Sequence, residues 1–284
     1  MFSHCSSLTS IDFTNFDTQN AISMEFMFYK CKSLIYIDVS NFNTQKVTSM
    51  VGMFSNCQSL TFIDLSKFNT AKVKDMAFMF SNCLSLTSID VSNFNTQNVK
   101  DMGSMFYNCK SLTSIDVSNF DTQSVTYLGG MFGFCILLTF IDVSNFNTNK
   151  VNTMHNMFDN CENLISIDVS NFNTQNVINM NEMFRGCLKL TSIDVSNFNT
   201  IQLKYLSSML KDYKSLTSID AHNFNIKNDA YMIYMFQDCE SLTYIDISNF
   251  IIQKKVTLFT GLPDEGTIKM NKKSIDNILD IPFR

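Results

Sequence analysis

A solenoid of short stacked turns is the fold class the sequence predicts, on three observations. Met-Phe recurs at residues 1, 27, 53, 79, 105, 131, 157, 183 and 235, with Met209-Leu210 filling the gap, so the period is 26 residues without drift. A cysteine follows at the same interval, at 5, 31, 57, 83, 109, 135, 161, 187 and 239. Self-similarity at a fixed period in this range is the mark of stacked units rather than one closed globule. Composition agrees: 45% of the 284 residues are hydrophobic, enough for a continuous core, while 2 Pro and 8 Gly are too few to punctuate ordinary loops.

Each element of the turn follows from one unit, residues 79–104, MFSNCLSLTSIDVSNFNTQNVKDMGS. Met79, Phe80, Cys83, Leu86, Ile89, Val91, Phe94, Val99 and Met102 are its apolar positions. Leu86-x-x-Ile89-x-Val91 has the spacing of a leucine-rich repeat. Ile89 and Val91 share one face of a strand, which leaves Ser88, Asp90 and Ser92 on the other. The stretch from Met79 to Cys83 reads as a short helical turn, and Val99 to Met102 as a third short segment. One unit cannot bury these side chains alone, so stability is a property of neighbouring turns. The expected architecture is a leucine-rich-repeat-like solenoid of ten 26-residue turns, a parallel strand ladder with short helical turns.

The ladder is expected to occupy residues 1–250, beginning mid-array because Met1 already stands at a repeat position. Residues 251–284 read as a C-terminal cap. Within it Gly261-Leu262-Pro263-Asp264-Glu265-Gly266 is a turn, Thr267 to Met270 a closing strand, and Ser274 to Leu279 a helical segment. Unit 209–234 is the least regular: Tyr213 replaces Cys, His222 replaces Ser, and Asp229 stands where Val is due. It is expected to be a kink or a weak point.

Several chemistries are excluded or disfavoured. A net charge of −5 offers no basic stripe for nucleic acid. No apolar run is long enough to span a membrane. Met1-Phe2-Ser3-His4-Cys5 has neither the basic nor the apolar region of a signal peptide. His4, His155 and His222 lie many turns apart, and no nucleophile–base arrangement or phosphate-cradling loop is present, so no enzyme, catalytic residue or cofactor is expected. The cysteines form one column. Adjacent turns bring two Cα atoms within disulfide reach, but the count is odd, and a straight column does not converge as zinc requires. They read as buried free thiols, with no metal site. Asn15 and Phe16, repeated down the chain, read as structural, the amide serving turn backbone and the ring filling the core. Thr18 begins a single column, not the paired array of an ice-binding surface.

The phrase S-L-T-S-I-D-V-S-N-F-N-T-Q-N-V-x-x-M-x-x-M-F-x-x-C resembles the bacterial surface protein 26-residue repeat of the BspA-like leucine-rich-repeat proteins, over residues 1 to about 259. The resemblance implies a cell-surface or secreted protein with adhesive or host-binding roles, and carries no catalytic residues. The missing signal peptide leaves a cytoplasmic location open.

Candidate binding residues come from the strand face. Aspartates at 12, 38, 64, 90, 116, 142, 168, 194, 220 and 246 form an acidic row in which like charges are expected to raise some pKa values. Serines beside them give way to Tyr36, Phe62, Phe140 and Tyr244, which with Asp38, Asp64, Asp142 and Asp246 are the candidate partner-binding residues. The expected partner is a protein, host or matrix ligand. The alternative is an intracellular structural scaffold, or a non-functional fragment of a larger surface protein.

Overall fold

In the computed structural model, which describes residues 1–226 and 230–282, the chain winds as a leucine-rich-repeat-type solenoid. The expectation for Asp229 lies outside the described residues. All nine apolar side chains of the turn at residues 79–104 are buried in one continuous core. Phe28, Phe54, Phe80, Phe106, Phe132, Phe158 and Phe184 stack ring on ring, with centroids 5.5–5.8 Å apart.

The two sides of each turn are held differently. On the Met-Phe side, alternate residues donate to the next turn: Met76 N to Asp101 O at 3.0 Å, Phe78 N to Gly103 O at 2.9 Å, Phe80 N to Met105 O at 2.9 Å, Asn82 N to Tyr107 O at 2.7 Å. The residues between close tight turns, as Met79 N does on Met76 O. Phe78 and Asn82 hold the left-handed conformation, φ +59° and +60°. Left-handed residues cannot continue an α-helix, so the expected helical stretch Met79–Cys83 is a run of turns. Parallel bridges such as Asp75↔Asp101↔Tyr127↔Thr153 extend the ladder along this side.

On the Leu-x-x-Ile-Asp-Val side the sheet is discontinuous. Strands β1 (Tyr36–Ile37) and β2 (Phe62–Ile63) pair in parallel. Three more, β3 (Ser218–Asp220), β4 (Tyr244–Ile247) and β5 (Thr267–Met270), form a second parallel sheet. Between them backbone contacts lengthen, as in Thr113 N to Thr87 O at 3.5 Å, the limit of a hydrogen bond.

Side chains take over where backbone pairing lapses. Thr70 Oγ1 donates to Asn95 O at 2.9 Å and accepts from Asn95 N at 2.8 Å, and Thr44, Thr122, Thr148 and Thr174 do the same in their turns. A hydroxyl can do both because it is donor and acceptor at once. Asn93 Nδ2 donates to Leu65 O and Phe68 O at 2.9 and 3.0 Å. Cys83 Sγ donates to Phe54 O at 3.3 Å. The cysteines are free, all buried except Cys5, and burial pushes Cys83 and Cys135 up to about 12.

The described residues of the irregular unit still bond to the next turn. Tyr213 is fully buried in the cysteine column, and Leu210 N still donates to Met235 O at 3.1 Å. Beyond Phe250, β5 pairs with β4, and a 3-10 helix spans Lys272–Asn277, its first turn capped by Asn271. Ser274, the buried residue of this helix, donates to Phe250 O and accepts from Ile252 N. Gly261 lies at φ +79°, where an added Cβ would clash with Asp238 Oδ1.

Candidate functional site

Strand alternation places the candidate residues on one face. Ile37 and Ile63 point into the core, so Tyr36 and Phe62, partners across the β1–β2 pair, project outward with 50% and 52% exposure. Phe140 lies three turns further along and is 59% exposed. Each aromatic is followed two residues later by an aspartate on the same face, giving the rungs Tyr36–Asp38, Phe62–Asp64, Phe140–Asp142 and Tyr244–Asp246.

The aspartates share one local geometry. Oδ1 accepts the backbone N–H two residues on: Asp38 from Ser40 at 3.0 Å, Asp64 from Ser66 and Asp142 from Ser144 at 2.9 Å, Asp246 from Ser248 at 3.1 Å. This bond restrains the carboxylate through one oxygen. The expectation that repulsion raises these pKa values is corrected. The Ser40 hydroxyl and amide hold Asp38 below the usual carboxylate range, as those of Ser144 do for Asp142 and the amide and hydroxyl of Ser66 do for Asp64. Neighbouring carboxylates Asp64 and Asp12 oppose this at Asp38, but more weakly, because water screens the exposed row.

The fourth rung departs from the expected exposed row. Asp246 is only 9% exposed and Tyr244 half-buried, because β5 pairs beside β4 and its Lys269 side chain lies over them. Lys269, the register partner of Asp246, brings Nζ to 3.6 Å from Asp246 Oδ2 and 5.2 Å from the centre of the Tyr244 ring. Desolvation pushes the Asp246 carboxyl up, but the Ser248 hydroxyl and amide together with Lys269 hold it low.

The opposite side carries a second aromatic surface that sequence reasoning missed. Phe26, Tyr29, Phe78 and Tyr107 line an open groove of about 480 Å³ with Ser55, Asn56 and Asn82. The signal is faint because residues at the Phe26 position change from turn to turn, through Gly52, Phe78 and Ser104. Among the described residues no group of three or more His, Cys, Asp or Glu is placed to hold a metal ion. No helix among them is long and apolar enough to cross a membrane.

A stacked interior with a variable outer face defines the class: a leucine-rich-repeat-type solenoid. Within that class the chain belongs to the family described as Mycoplasma protein of unknown function, DUF285, which it matches over residues 1–114, 64–137, 87–166 and 134–250. No curated relative matches the sequence. Among solved structures it is similar to a leucine-rich repeat protein from Bacteroides ovatus, at 18% identity and TM-score 0.36, over 96% of this chain and 70% of that one. A leucine-rich cell surface protein from Faecalibacterium prausnitzii matches at 17% identity and TM-score 0.32, over 89% and 78%. The functional domain of InlJ from Listeria monocytogenes, which includes a cysteine ladder, matches at 18% and TM-score 0.21, over 89% and 68%.

Proposed function

We propose that this chain is a non-enzymatic surface-type repeat protein whose acidic strand face binds a protein partner, in the manner of an adhesin. The observation that carries this reading is the adjacent exposed pair Tyr36 and Phe62, set on a face whose interior columns hardly vary. Rigid aromatics beside hydrogen-bonding groups are the residues that anchor interfaces, and solenoids present such faces as extended surfaces. Residues 251–284 serve in this reading as the cap that closes the ladder of residues 1–250. The surface location, and a relation to the BspA-like proteins, rest on the resemblance of the repeat phrase to bacterial surface repeats.

Protease shaving of intact source cells tests the location: release of peptides from this chain supports it, and protection until lysis defeats it. Capture of host or matrix protein on the immobilised chain tests the face. Tyr36→Ser with Phe62→Ser should weaken that capture while leaving the circular dichroism and melting of the chain unchanged. Undiminished capture would remove these two residues from the site.

A further inference from the structure

We infer that the exposed aromatic–aspartate rungs are lysine-binding sites, and that the partner is a protein presenting lysine side chains along a basic, extended segment. This rests on the reading of the strand face as protein-binding, and specifies the chemistry of what it binds.

The molecule carries one occupied example. At the Tyr244–Asp246 rung the ammonium of Lys269 lies 3.6 Å from the carboxylate and 5.2 Å from the ring centre. The lysine arrives on an extended strand, β5, in parallel register with the rung. Both contacts fall within the ranges of an ion pair and of a cation held over a ring face. The aromatic and the carboxylate act together on one ammonium because they stand two residues apart on the same strand face.

The same pair recurs at Tyr36–Asp38, Phe62–Asp64 and Phe140–Asp142. There Oδ1 accepts the serine amide two residues on, as in Asp246. No salt bridge among the described residues engages Asp38, Asp64 or Asp142. Their rings are exposed, where that of Tyr244 is covered. The rungs between, such as Ser88–Asp90 and Ser114–Asp116, keep the carboxylate without the ring. The face is therefore an acidic track with ammonium-binding positions at selected turns, complementary to a basic chain.

Titration of the intact chain with fluorescein-labelled oligolysine at low salt, followed by anisotropy, tests this. Oligolysine acetylated on every Nε is the matched neutral probe. The chain should bind oligolysine and not the acetylated form. D38N/D64N/D142N should weaken binding about tenfold more than D90N/D116N/D168N, which removes the same charge from rungs lacking an aromatic. Equal binding of the acetylated probe would overturn the assignment of an ammonium ligand and leave the face as an apolar protein-binding surface. Equal loss in the two triple variants would overturn the rungs in favour of a diffuse acidic stripe. No binding of oligolysine would overturn the proposal outright, whatever protein the chain captures.

Discussion

Asp90 and Asp101 belong to one turn and make the same local bond, each Oδ1 accepting the amide two residues on, from Ser92 at 2.9 Å and Gly103 at 2.7 Å. Their acidities move in opposite directions. The Ser92 hydroxyl and amide hold Asp90, which stands in water, below the usual range. Desolvation pushes Asp101, half-buried on the bridge ladder, above it. The amide bond is common to both, so the opposite signs come from the added Ser92 hydroxyl at Asp90 and from desolvation at Asp101. The strand side keeps its carboxylates charged and presents them outward, while the Met-Phe side sacrifices easy ionisation to packing. Water-facing and half-buried carboxylates are thus divided between the two sides of one turn.

The division is tested most severely in the core. Phe106 is fully buried, stacked between Phe80 at 5.7 Å and Phe132 at 5.8 Å. Phe106→Ala should cost about 3–5 kcal/mol in urea unfolding, through lost burial and the cavity left behind. A loss under about 1 kcal/mol would mean that the neighbouring rings close the gap and the column is not rigid.

Next in size is the side-chain ladder. Thr122 Oγ1 donates to Asn147 O at 3.1 Å and accepts from Asn147 N at 2.7 Å. Thr122→Val keeps the shape and removes both bonds. Two stranded backbone groups should lower stability by about 2–4 kcal/mol. Hydrogen exchange at Asn147 should accelerate in the variant, and an unchanged rate would show that the amide finds another partner.

The residues that carry these effects show how far the sequence could be read. The period fixed which side chains face inward, because the same apolar types recur at the same interval. It also placed Tyr36, Phe62 and Phe140 outward through strand alternation. It did not reveal which bonds join the turns, since Thr70 and Asn93 replace backbone pairs with their own hydroxyl and amide. One left-handed column was hidden because Phe26, Gly52, Phe78 and Ser104 occupy it, set by the ladder rather than by residue preference, whereas Asn56, Asn82, Asn108 and Gly186 mark the other by residue type. The cover on Asp246 was illegible because Lys269 comes from outside the repeat, where no period fixes its register.

A pH experiment sharpens the contrast between the two sides. Asp159 is 1% exposed, and desolvation pushes its carboxyl up to about 6, although Asn156 donates to it at 2.9 Å and Arg185 lies nearby. A folded value above the unfolded one means that the native state binds more protons between the two. Stability should therefore rise by about 1–3 kcal/mol as pH falls from 7 through 6 towards 4. Asp159→Asn should abolish that rise. The strand-face aspartates have depressed values, so their contribution is present at neutral pH and is lost only at lower pH. An Asp159→Asn chain that keeps the gain on acidification would assign it to other carboxyls raised by burial, such as Asp75 and Asp101.

The smallest stability effect is expected at an exposed aromatic of the strand face. Phe140 is exposed, and its turn is anchored by Ile141 and Val143 beneath it. Phe140→Ser restores the residue found on most other rungs, so unfolding should shift by no more than about 0.5 kcal/mol. A shift near that of Phe106→Ala would show that this ring packs on its neighbours and stabilises the turn. The strand face would then share the structural work of the core, and Phe140 would no longer be free to meet a partner.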